Sequence, residues 1–149
     1  MTKRVFTTAF ATLRLSGETL DPLDATKLLG LPPDRQCRAG EPRLSRAKNG
    51  RVVQRGEHTS GQWRMSSKGW VDSPRLHVHV NWMLSELEPV AEPLREILGT
   101  GARGDIFCYS AGRTSEHPAI PNETRLRAEA LGLAIEIDHY ETNNDENST

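Results

Sequence analysis

The chain is poor in the features that staple, anchor or charge a protein with obvious chemistry. It has two cysteines, Cys37 and Cys108, far apart and without metal-site spacing. A disulfide-dense scaffold is excluded, one disulfide stays open, and two free thiols in a cytosolic protein are the expectation. No apolar run approaches the ~18 residues of a membrane span. The basic start MTKR leads into no apolar signal region, because Thr7, Thr8 and Thr12 interrupt it and Arg14 ends it. No signal peptide and no membrane contact are expected, and the cytoplasm is the expected location. There is no P-loop and no nucleophile elbow. Gly99, Gly101 and Gly104 have the spacing of a dinucleotide fingerprint. They follow a helical pattern and precede a strand pattern, the reverse of the required context. No cofactor and no metal centre are expected.

Charge is present but unevenly placed. Residues 1–75 hold 14 Lys+Arg and 7 Asp+Glu, a balance of +7, whereas residues 76–149 hold 5 and 13, a balance of −8. The two sum to the net −1 of the whole chain. Such asymmetry marks either an anion-binding face or two complementary solvated surfaces of one domain. The length of 149 residues suits a single domain able to bury roughly 70% of its unfolded surface.

β-branched and aromatic residues alternate from Val5 to Leu15, which predicts a strand with Leu13 and Leu15 on the core face. Asp21 before Pro22 and Gly30 before Leu31-Pro32-Pro33 bracket a two-turn helix. Its inner face is expected from Leu23 and Leu28, with Thr26 and Leu29. Asn49-Gly50 predicts a type I′ hairpin between strands near 43–47 and 51–54. Trp63 and Met65 share one face of a further strand over 61–67.

Ser73-Pro74 predicts a second helix start, followed by the apolar stripe Leu76, Val80, Met83, Leu84 and Leu87. Pro89 breaks it, and a shorter helix continues over 90–98. A strand over 105–111, a helix over 123–131 capped by Asn122 and facing inward through Leu126, Ala130 and Leu131, and an alternating strand from Leu133 close the domain at about residue 140. The polar stretch 141–149 is expected to be a disordered tail. The fold expected is α+β: a two-layer sandwich, largely antiparallel, with helices on one face, ferredoxin-like or related. Leu28-Leu29-Gly30-Leu31 and Ala130-Leu131-Gly132-Leu133 echo each other, which raises an internal pseudo-repeat.

The order Leu20-Asp21-Pro22, Leu29-Gly30-Leu31-Pro32, Gly40, Trp63, and a Leu-rich helix with His79 resembles the bacterial domain-of-unknown-function 4279 family, over roughly 5–140. The resemblance implies a small standalone bacterial α+β domain. It supplies no catalytic residues to carry over.

Three chemistries compete. The run from Arg35 to Arg55 has seven cations against one acid, Glu41. Arg35, Arg38, Arg43, Arg46, Arg51 and Arg55, with Trp70 downstream, are the candidate binding residues. They suit an acidic protein partner, or nucleic acid and other anions through phosphate neutralisation. His77 and His79 could share a metal on a strand but point about 200° apart on a helix. Cys37, between Arg35 and Arg38, is the candidate reactive thiol. The leading expectation is a non-catalytic bacterial protein-binding module, immunity- or antitoxin-like. Nucleic-acid or anion binding through 35–55, and a metal- or thiol-dependent enzyme, are the alternatives.

Overall fold

The computed structural model describes residues 8–142. Among these, a five-stranded sheet has the order β2-β5-β1-β6-β7, and β3 pairs with β4 in a separate two-stranded ribbon. The strands are β1 (Thr8–Gly17), β2 (Arg35–Cys37), β3 (Pro42–Arg46), β4 (Val52–Glu57), β5 (Gly61–Ser66), β6 (Arg103–Gly112) and β7 (Ala134–Glu141). The helices are α1 (Pro22–Leu29), α2 (Leu76–Leu87), α3 (Ala91–Gly99) and α4 (Asn122–Ala130). A 3-10 turn over Glu88–Val90 joins α2 to α3, because Pro89 cannot donate to the α2 ladder.

β1 is the central strand and runs antiparallel to both β5 and β6. β2 is antiparallel to β5, so β2 runs parallel to β1 with β5 between them. The path β1-α1-β2-β5-α2/α3-β6 is therefore the split βαβ arrangement of a ferredoxin-like core. α4 and β7 extend it, and β7 is the one strand paired in parallel, on β6. The local echo between the two Gly-Leu helix stops is real: Gly30 and Gly132 both take positive φ, 65° and 79°. The strands that follow go to different places. The chain leaving α1 enters β2, two strands from β1, whereas the chain leaving α4 enters β7 beside β6.

The core lies on one face of the sheet. Leu13, Leu15, Trp63, Met65, Ile106 and Cys108 meet Leu76, Val80, Met83, Leu84, Leu87, Leu94 and Ile97, all buried. At roughly 1.5–3 kcal/mol for each large apolar side chain buried, this cluster is the main stabilising term. The five-residue stripe of α2 is buried as the spacing requires. Two helix faces differ from expectation. α1 buries Pro22, Ala25 and Leu29, while Leu23 and Leu28 are exposed. The small Ala25 lets α1 approach closely enough for Trp63 Nε1 to donate to Thr26 Oγ1 at 2.9 Å. α4 buries Thr124 and Ala128 and exposes Leu126. Thr124 is satisfied by donating to Asn81 Oδ1 at 3.0 Å.

Some helix boundaries differ from expectation by one or two residues. Asp21 caps α1 as expected, accepting from the Leu23 N–H at 3.0 Å. α2 begins at Leu76, not at Pro74: Arg75 is extended and takes the cap position without a side-chain bond, although Ser73 Oγ accepts from the Arg75 N–H. Asn122 is the first residue of α4, and Pro121 takes the cap position without a side-chain bond. The Asn49-Gly50 hairpin forms with a different turn. Gly50 alone has positive φ, 84°, and its N–H donates to the Ala47 carbonyl. That is a type I turn closed by a left-handed glycine, which Asn49 stabilises by accepting from the Arg51 N–H. Glu141 belongs to β7. The expected strand start at 5–7 and the tail 143–149 lie outside the described residues. No helix in the described residues is long and apolar enough to cross a membrane.

Candidate interaction surface

The basic run forms an arm. Arg35↔Arg64, Cys37↔Gln62 and Pro42↔Glu57 keep a single register, so β2–β3 and β4–β5 are one long antiparallel ribbon. Backbone bonds from Gly40 N–H to the His58 carbonyl and from His58 N–H to the Glu41 carbonyl bridge its two halves. The ribbon leaves the sheet at Gly61. There a Cβ would overlap the Leu20 carbonyl oxygen, so only glycine lets the turn before α1 pack against the ribbon's root. A bulge between Pro42 and Leu44 then re-aims the outer half. β2 carries no strand signal in the sequence, because Arg35-Gln36-Cys37 is a short edge strand with no apolar alternation.

Along the arm, Arg43, Arg46, Arg51 and Arg55 are exposed, and so is Lys48. None of these five cations makes an ion pair among the described residues. Leu44 and Val52 are 67% and 59% exposed. The pairs Leu44↔Gln54 and Arg46↔Val52 put Leu44, Arg46 and Val52 on one face of the ribbon. Arg38 sits at the arm's root and reaches Asp21 at 3.6 Å. Arg35 lies on the sheet beside Arg64. Trp70 follows the far end of β5, about 17 Å of strand from the arm's root, and stacks on Trp82 with centroids 6.1 Å apart. The arm thus gathers Arg43, Arg46, Arg51 and Arg55, and the structure sets Arg35, Arg38 and Trp70 apart from them.

A second surface is the sheet's other face, which no described helix covers. Direct strand pairing places Arg35, Arg64, Arg14 and Asp105 in one row across it. Arg14 holds Asp105 in a bidentate pair at 2.8 and 2.6 Å and lies 4.5 Å over the Phe107 ring. Further along the strands, Tyr140, Tyr109 and Phe10 form a ladder with ring centroids 5.6 and 5.0 Å apart, and Lys68 lies over Phe10. Tyr140 donates to Asp138 at 2.7 Å, and that hydrogen bond pushes the phenol pKa up. With Leu13 and Leu15 on the core face, alternation alone puts Phe10 and Arg14 on the opposite face of β1, whereas the sequence does not say which face of β6 Phe107 and Tyr109 share.

The histidines and thiols are held in place by structure. His77 and His79 are on α2, so their rings diverge. His79 is buried, with Nδ1 2.6 Å from Ser67 Oγ and Nε2 2.7 Å from the Ser73 carbonyl. His139 is bonded to Ser110 Oγ and the Thr114 carbonyl, and with His77 it borders a cleft of about 510 Å³ at the C-terminal ends of β6 and β7. Among the described residues no three His, Cys, Asp or Glu side chains gather as a metal site. The thiol of Cys37 is shifted up, first by burial and then by Glu41, so the flanking arginines do not make it a thiolate. Burial pushes Cys108 to about 12. Both cysteines are free.

A ferredoxin-like α+β core with one open sheet face and a basic β-arm is the class of domain these features define. The chain belongs to the family described as Domain of unknown function (DUF4279), which matches residues 7–142. No curated protein and no solved structure matches the chain.

Proposed function

We propose that the protein is a non-catalytic protein-binding module that docks an acidic partner protein on its β-arm. The observation that carries this reading is the arm's composition: five cations that make no ion pair among the described residues, around exposed Leu44 and Val52. Arginine is enriched among binding hot spots, exposed Leu44 and Val52 add apolar contact area, and unpaired positive charge steers acidic partners. The enzyme alternative has little support, since His79 and His139 spend both ring nitrogens on structural bonds and Cys37 is shifted away from the thiolate. An immunity- or antitoxin-like role in a bacterial cytoplasm is the finer form of the proposal.

Nucleic acid is the second reading, favoured by the same cations. Against it, the arm has no aromatic residue on which a base could stack. The test is capture from host lysate by the intact protein and by the variant Arg43→Glu/Arg46→Glu/Arg51→Glu. Each is run with and without nuclease, at about 50 and about 500 mM salt. An acidic protein held by the wild type, lost in the variant and at high salt, and indifferent to nuclease is the expected result. Nuclease-sensitive capture would establish the nucleic-acid reading. Identical protein recovery by wild type and variant would refute the role of the arm.

A further inference from the structure

We infer that the open sheet face is the interface of a two-fold homodimer. The face is divided by charge along the sheet. Its β2, β5 and β1 side carries Arg35, Arg64 and Arg14, with Lys68 just beyond β5 over the Phe10 ring. Its β6 and β7 side carries Asp105, Glu136 and Asp138. Arg14 and Asp105 neutralise each other within the chain. Arg35, Arg64 and Lys68 then remain on one side, and Glu136 and Asp138 on the other, with no ion pair to any of the five among the described residues.

Such a face is complementary to itself. β1 is third of five strands. A two-fold axis lying over β1, parallel to the strands, sets each copy's β2 over the other's β7 and each β5 over the other's β6. It preserves position along the strands, so the cationic side meets the acidic side twice. Lys68 leans over Phe10 and so places its charge beside the axis, level with Tyr109 and Asp138 of the second copy. Arg35 and Arg64 reach toward the second copy's Glu136. Phe10 meets its own symmetry mate at the axis, flanked by Tyr109 and Phe107, each only half-buried in the single chain. An apolar centre inside a charged rim is the anatomy of a protein interface, and aligned face-to-face sheets are a common packing. Any heterologous alternative would have to meet both charge signs in the same spacing, which a second copy does by symmetry.

The size is adequate for a reversible dimer. Five strands at ~4.8 Å spacing and ~7 residues at ~3.3 Å give roughly 550 Å² of projected area. The side chains roughen this toward the ~800 Å² per partner of a standard interface. An interface of this size is at the small end of the range, and its charged rim is strengthened at low salt.

The experiment is a mass measurement by light scattering or sedimentation at ~100 µM and low salt, on four samples. Wild type is expected at twice 16.6 kDa. With Arg14, Lys68 and Asp105 unchanged, Arg35→Glu/Arg64→Glu makes the face net acidic and Glu136→Arg/Asp138→Arg makes it net basic. Each alone is expected to be monomeric, and their equimolar mixture is expected to dimerise, which also shows that both variants are folded. A monomeric wild type, a dimer that survives either reversal, or a mixture that stays monomeric would each overturn the inference. The arm variant Arg43→Glu/Arg46→Glu/Arg51→Glu keeps its dimer mass, so failure of the arm reading and failure of this one are separable.

Discussion

Ser67→Ala removes one oxygen at the point where three elements are tied together. Ser67 Oγ accepts from the Ala11 N–H on β1 at 2.9 Å, which leaves its own proton to donate to His79 Nδ1 on α2 at 2.6 Å. His79 Nε2–H in turn donates to the Ser73 carbonyl at 2.7 Å. Ser67, Ala11 and His79 are 0%, 0% and 2% exposed, so water does not replace a lost partner. Alanine orphans a buried amide and a buried imidazole nitrogen, each costing ~1–3 kcal/mol. The expected loss is about 2–4 kcal/mol, a large share of the ~5–15 kcal/mol that holds a domain folded. Urea unfolding followed by the fluorescence of buried Trp63 measures it, with an unchanged m-value showing that the native surface is intact. Ser66→Ala is the control. Its hydroxyl accepts only from the exposed Lys68 N–H, and its effect is expected within ~0.5 kcal/mol. In the double variant Ser67→Ala/His79→Ala the imidazole is gone, and the combined loss should fall short of the sum. A Ser67→Ala protein as stable as the Ser66→Ala control would refute the tie.

Gly61→Ala should fail to fold or lose more than ~3 kcal/mol in thermal unfolding, since its Cβ overlaps the Leu20 carbonyl oxygen. Gly30→Ala, with open space around it and only its φ of 65° against it, should lose about 1 kcal/mol. The Glu88 carboxyl is held below its usual range chiefly by the Arg127 hydrogen bond. A depressed folded pKa contributes stability above the unfolded value that is lost as pH falls through the folded one. Glu88→Gln should therefore flatten the melting temperature against pH below about pH 5, by well under 1 kcal/mol because the pair is 29% and 44% exposed. A thiol reagent should modify Cys37 slowly and Cys108 only at the unfolding rate, since burial places Cys108 at about 12. Rapid modification of two thiols in the native state would contradict that burial.

Elements with dense local signals were legible in the sequence. Asp21-Pro22 and Gly30 placed α1, and the five-residue stripe placed α2, because caps and long periodic faces act over one or two turns. Short helices misled. In eight or nine residues, leucine count does not reveal which side meets the sheet, and α1 and α4 turn Ala25 and Ala128 inward while Leu23 and Leu126 face water. Close approach to a sheet favours the small residue. β2 and the pairing order were not legible, since they depend on contacts between distant segments such as Arg35 with Arg64. The basic arm was visible as a charge run and a hairpin turn. The open face was half visible, as the parity of Phe10 and Arg14 against core-facing Leu13 and Leu15; that Phe107 and Tyr109 join them on an adjacent strand needed the register.

Backbone hydrogen exchange of the intact protein, free and bound to the acidic partner it captures, tests the arm directly. Docking there predicts slowed exchange across Pro42–Glu57, whose outer strands are exposed in the free chain. Unchanged exchange in those two strands, with protection confined to other elements, would contradict the arm as the recognition site.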